Sequence, residues 1–203
     1  MIRGRFRQQQ WQVRQEAILD ALEHLFAERG VAGVTMDDLA EAVGISKATL
    51  YQHFASKDAM LAHLLTAHYE RFIEWLESTA GQPPIERLCA TMRYLMSRQM
   101  MVLREVMAIG REQVLPVFHN DAELLAQHTR TLGLLTEIVR QGQADGSIAA
   151  DLAPQAIIGA MWALTNMSAR QSPGAQALPD ALDETAYAEQ MLLLFARSLR
   201  PIS

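Results

Sequence analysis

The chain has 203 residues, half of them hydrophobic and 20% charged, with a formal net charge of −5. This is ordinary globular composition, which excludes a disordered or fibrous chain, and the negative sum argues against a protein that coats nucleic acid without specificity. The single cysteine, Cys89, excludes an internal disulfide and any cysteine-cluster metal site; it agrees with a reducing compartment, so the cytoplasm is the expected location.

The chain opens "MIRGRFRQQQWQVR", in which Arg3, Arg5, Arg7 and Arg14 all precede the first acid, Glu16, and form a basic arm suited to phosphate. No apolar leader core follows it, and the densest apolar run, "MLLLFA" at 191–196, is far too short to cross a bilayer. Neither secretion nor a membrane partner is expected. Strand signals are nearly absent, since no stretch alternates apolar and polar residues over a useful length, and the fold is expected to be all-α.

From Gln8 to Arg29, Trp11, Ile18, Leu22, Leu25 and Phe26 share one helical face, and Gly30 follows as a terminator. Thr35 with Asp38 three residues on makes a capping-box start for a second helix of about two turns, striped by Met36, Leu39, Ala40 and Val43. Gly44 ends it and Ser46 caps a third helix, on which Leu50 and Phe54 point inward. Ser56 precedes a long helix from Lys57, interrupted by "GQPP" at 81–84. Further helical patterns run over roughly 84–108, 110–118, 121–141, 154–170 and 184–199, with Gly110 and Pro116 expected to interrupt a helix.

Two short helices joined by a glycine-containing turn form a helix-turn-helix, whose second helix enters the DNA major groove. The inward Leu50 and Phe54 leave Lys47, Ala48, Thr49, Tyr51, Gln52 and His53 on the outer arc and ends. Lys47 and Lys57 can neutralise phosphates, Tyr51 and His53 can donate to phosphate oxygens, and Thr49 or Gln52 can reach base edges. Ala48 permits close approach.

With these features in order, residues 17–61 resemble the amino-terminal domain of the TetR family of transcriptional regulators, on "LF" at 25–26, Gly30, Thr35, "LAEAVGIS" at 39–46, "LYQHF" at 50–54 and "SKDAML" at 56–61. The resemblance implies a three-helix DNA-binding domain over 1–56 and a larger helical-bundle domain for ligand binding and dimerisation over 57–203. It implies that Thr35 contacts phosphate, that Ser46 to His53 form the recognition helix, and that Lys57 clamps phosphate. Ala48 stands where many members have glycine, and "YQHF" replaces the frequent "YHYF", so a relative's base preferences do not transfer. The expected function is a ligand-responsive regulator, most often a repressor in this family, which binds a pseudo-palindromic double-stranded operator as a homodimer and is released by a small, largely apolar inducer.

Beyond residue 80 only composition speaks. Met92, Met96, Met100, Met101 and Met107, with Tyr94, and Met161, Trp162, Asn166 and Met167, fit either ordinary bundle core or the adaptable wall of an apolar pocket. Gln113, His119 and Asn166 are the polar groups that could orient a ligand there. Met161, Leu164, Met191, Leu192, Leu194, Phe195 and Leu199 give the last two long helices broad apolar faces, to be buried within one bundle or between two protomers. No nucleophile elbow, phosphate loop, di-iron Glu-x-x-His pair or metal-ligand spacing occurs, so neither catalysis nor a cofactor is expected.

Overall fold

The structure, a computed structural model, describes residues 2–30, 32–97, 100, 104, 111–166 and 182–201. It is all-α as expected: the described residues contain helices and turns and no strand. The helices are α1 (Ile2–Arg29), α2 (Met36–Val43), α3 (Lys47–His53), α4 (Lys57–Ser78), α5 (Pro84–Leu95), α6 (Arg111–Asn120), α7 (Ala122–Ala144), α8 (Pro154–Asn166) and α9 (Glu184–Ser198). Two compact units emerge, one of residues 1–67 with 105–125, the other of residues 68–104 with 126–203.

Local chemistry explains the first unit. Thr35 starts α2 with a capping box: its hydroxyl accepts from Asp38 N at 3.2 Å, and the Asp38 carboxylate accepts from Thr35 N at 2.8 Å. Such caps stabilise by about 1 kcal/mol. The Thr35 hydroxyl, which also donates to the Asp38 carboxylate, and then Thr35 N, followed by Arg29 at 3.1 Å, hold the Asp38 carboxyl below its usual range. At the other end Gly44, at φ 72°, donates to Glu41 O at 3.1 Å while Ile45 N donates to Ala40 O at 3.0 Å, the paired bonds of a Schellman stop. Two residues on, the Ser46 hydroxyl accepts from Thr49 N at 3.1 Å and α3 begins. Helices α1 to α4 close over Ile18, Leu22, Leu25, Phe26, Leu39, Leu50 and Phe54, all buried.

Helix α1 differs from its expected start. It begins at Ile2, six residues before Gln8, because arginine and glutamine are good helix formers and only Gly4 opposes them. Trp11 also departs from the predicted face: it is 43% exposed, since the buried stripe begins at Ile18.

The second unit packs Tyr69, Phe72, Leu76, Leu88, Met92, Leu95, Leu135, Val139, Ile157, Met161 and Phe195 in its interior. Arg87 is buried with them, donating to Thr79 Oγ1 at 3.1 Å and to Leu76 O at 3.2 Å, where its charge meets the carbonyl end of α4. Phe72, Trp75 and Tyr94 form a stack, the Trp75 and Tyr94 rings 4.4 Å apart. Helix α5 stops at Leu95 rather than near 108, its end tightened by Ser97 N donating to Tyr94 O at 3.0 Å. Pro116 sits inside α6 instead of ending it. Met101, Met107, Gly110 and Met167 lie outside the described residues.

Candidate nucleic-acid interface

The capped, glycine-turned pair α2 and α3 gives the first unit one short polar ridge. Leu50, with no exposed surface, and Phe54 hold α3 from below. Ser46, Lys47, Ala48, Tyr51 and Gln52 are consequently exposed on it, and Thr49 is half-buried with its hydroxyl 2.8 Å from that of Ser46. Tyr51 is 45% exposed. A phenol, an amide and a methyl-sized side chain on seven helical residues form a surface that donates, accepts and approaches closely, as base edges and phosphates require.

Lys47 and Lys57 already have protein contacts. Lys47 Nζ lies 2.8 Å from the Asp37 carboxylate, and that hydrogen bond raises its pKa. Both groups are at the surface, where solvent screens such a pair, so a phosphate can replace Asp37 at little cost. Lys57 Nζ donates to Val34 O at 2.6 Å and lies 6.0 Å from the centre of the Phe26 ring. Burial pushes its pKa down. Thr35 combines exposure with its capping role at the start of α2. Arg3, Arg5 and Arg7 fall in the first turns of α1, and their side chains lie outside the described residues.

His53 is held differently from its neighbours. Its ring stacks on Trp11, centroids 3.8 Å apart and planes 24° apart, and its Nδ1 is shielded without a hydrogen-bond partner. Burial first, and then the charge of Arg14, lowers its pKa. Sequence reading assigned Trp11 to the core and missed this contact across 42 residues, for which no local signal exists. It also missed Asp37 as the partner of Lys47.

The remaining predicted residues divide between the two units. In the second, Met92 is buried, Met96 and Trp162 are half-buried, and Asn166 carries a shielded Oδ1 with no hydrogen-bond partner. In the first, His119 is exposed on α6, and the Gln113 side chain lies outside the described residues. Met161 and Phe195 are buried within the protomer, Leu164 and Met191 are half-buried, and Leu193 and Leu194 on α9 are 45% and 55% exposed. A further polar contact within the second unit joins Tyr69 Oη and His128 Nδ1 at 2.9 Å. Burial raises the Tyr69 pKa and lowers that of His128, so the two groups meet in their neutral forms. Among the described residues there is no cluster able to hold a metal and no helix long and apolar enough to cross a membrane.

Residues 18–64 match the family model described as "Bacterial regulatory proteins, tetR family". Over 83 residues the chain is 39% identical to the HTH-type transcriptional repressor KstR2 of Mycobacterium tuberculosis, an alignment covering 37% of this chain and 38% of that protein. It is 29% identical over 149 residues to the KstR2 repressor of Mycolicibacterium smegmatis, covering 68% of this chain and 69% of the relative. The match to the tuberculosis relative thus spans under two-fifths of that protein's length. In fold, the chain superimposes on FadR from Bacillus subtilis, solved in complex with stearoyl-CoA, with a TM-score of 0.63 at 20% identity, covering 91% of this chain and 99% of FadR.

Proposed function

We propose, because the chain belongs to the TetR family of bacterial transcriptional regulators, that it is a repressor which binds a pseudo-palindromic operator as a homodimer and leaves it when a small, largely apolar inducer binds. The observation that carries this reading is the exposed ridge of α3, on which Lys47, Ala48, Tyr51 and Gln52 face solvent above a buried Leu50. Proteins of this family are DNA-binding regulators and not enzymes.

In this reading Gln52 and Thr49 address base edges and Ala48 leaves room for a thymine methyl. Lys47, exchanging Asp37 for phosphate, joins Thr35, Ser46, Tyr51, His53 and Lys57 on the backbone, with Arg3, Arg5 and Arg7 extending the contact. The carbonyl contact of Lys57 fixes its ammonium beside the entry to α2, close to where Thr35 would meet the same strand. We assign residues 1–56 to DNA binding and 57–203 to ligand binding and dimerisation. One short helix reads only a few base pairs, so two copies are needed, and their half-sites should lie about 34–36 Å apart or slightly more.

The exposed Leu193 and Leu194 support α9 as part of the dimer surface, flanked by Met191 and Leu164, with Met161 and Phe195 as the packed floor behind it. For the inducer, Met92, Met96 and Trp162 supply apolar wall, and the unpartnered Asn166 Oδ1 offers an acceptor for a ligand donor. The long acyl chain of the stearoyl-CoA bound by FadR is an example of the apolar ligand this reading anticipates. Release then requires only that the inducer bind more tightly to a form whose recognition helices misfit the operator. Titration of the purified protein with duplex from upstream of its own gene, at rising salt, tests the reading. Affinity should fall steeply, with a log–log slope of roughly 0.9 per neutralised phosphate; affinity indifferent to both sequence and salt would refute it.

A further inference from the structure

The first half of α1 lacks the anchoring of its second half. The buried stripe starts at Ile18, while residues 9 to 14 are all exposed. An open groove of about 640 Å³ separates this stretch from the turn between α2 and α3, lined by Gln9, Gln10, Val13, Arg14 and Ala17 on one side and by Val43 and Ile45 on the other. A helix end that buries no apolar face has only its own propensity to resist fraying, so a tertiary contact on this part of α1 steadies it. The Trp11 ring, stacked on His53 at 3.8 Å, reaches the last residue of α3 from that otherwise exposed stretch.

We infer that Trp11 is a positioning residue for DNA binding: its stack on His53 fastens the basic arm to the end of the recognition helix and sets the imidazole for a phosphate. This rests on the proposed DNA-binding function and adds to it a residue outside the helix-turn-helix. Two consequences follow from one contact. The backbone of α1 that carries Arg3, Arg5 and Arg7 is thereby tied to the end of α3. The imidazole is also held in one orientation. Its Nδ1 is shielded and unpartnered, and a buried acceptor without a partner is tolerated better than a buried N–H. The proton therefore sits on Nε2, which becomes the donor. Arg14, the charged group of α1 that acts on this ring, repels a second proton and reinforces the neutral form.

The test uses the full chain and a duplex that it selects from a random pool. Trp11→Ala should weaken binding to the selected duplex and to a scrambled one by the same factor of roughly three to ten, the scale of an aromatic pair, because positioning contacts carry no base information. Trp11→Phe, which can still stack, should restore most of the loss. In the free protein, the His53 ring followed by NMR should titrate below the ordinary histidine range in the wild type and in Trp11→Phe, and should move up towards about 6.5 in Trp11→Ala. A His53 titration unmoved by Trp11→Ala, or an Ala variant that binds like the wild type, overturns the inference. Failure to select any duplex sinks the DNA-binding reading instead, and the His53 titration still judges the stack.

Discussion

Replacing Gly44 by alanine isolates the backbone conformation that the helix-turn-helix demands. Gly44 stands at φ 72° and ψ 33°, and a Cβ built on it meets nothing within 4 Å, so no collision contributes. The left-handed conformation costs an L residue about 1–2 kcal/mol, and the stiffer unfolded chain returns about 0.4–1 kcal/mol of that. The net loss should be about 0.5–1.5 kcal/mol, a fall in Tm on the order of 3 °C for a chain of this size. Asparagine, which tolerates this conformation better, should fall between glycine and alanine. Urea unfolding followed by circular dichroism, with amide exchange read at Ile45 and Leu50, measures both size and place. Faster exchange should be confined to α2 and α3. Alanine as stable as glycine, or asparagine worse than alanine, would refute the assignment of Gly44 as a conformational stop.

Gly142→Ala should act through collision, against the roughly 1 kcal/mol that alanine gains inside α7: the added Cβ would strike Ile148 Cδ1 and lie 2.7 Å from Ile148 Cγ1 and 3.2 Å from Pro84 Cβ. Overpacking of this kind costs about 1–3 kcal/mol, and Ile148→Val in the same chain should recover part of it in a denaturant titration. The Tyr69–His128 bond predicts a pH dependence. Because burial lowers the folded pKa of His128, the unfolded chain takes up the proton first; the stability is present above about pH 6.5 and is lost as pH falls through that value towards the folded pKa. Urea midpoints at pH 7.5 and 5.5 should show this loss, and His128→Gln should reduce it.

How much could be read in advance depended on how local the chemistry was. The capping box at Thr35, the stop at Gly44 and the cap at Ser46 each act within five residues, and their structural roles were legible as spacings. The limits of longer helices were less so. Nothing between Leu88 and Met107 resembles a breaker, so the apolar period ran on past Leu95, where the helix in fact tightens and stops. Contacts between distant segments were invisible: Trp11 with His53, Lys57 with Val34 O, and Tyr69 with His128 join residues 42, 23 and 59 positions apart. Arg87 illustrates the same limit, since a charged side chain in an amphipathic helix reads as surface until the carbonyl end of α4 is seen to meet it.

Selection of duplexes from a random pool by the purified protein, with sequencing of what is retained, tests the account most directly. A ridge read by Thr49 and Gln52 on two symmetry-related protomers predicts enrichment of one pseudo-palindrome, and loss of preference at matching positions of both halves in Gln52→Ala. A retained pool with no common sequence, or a preferred site lacking two-fold symmetry, would contradict it.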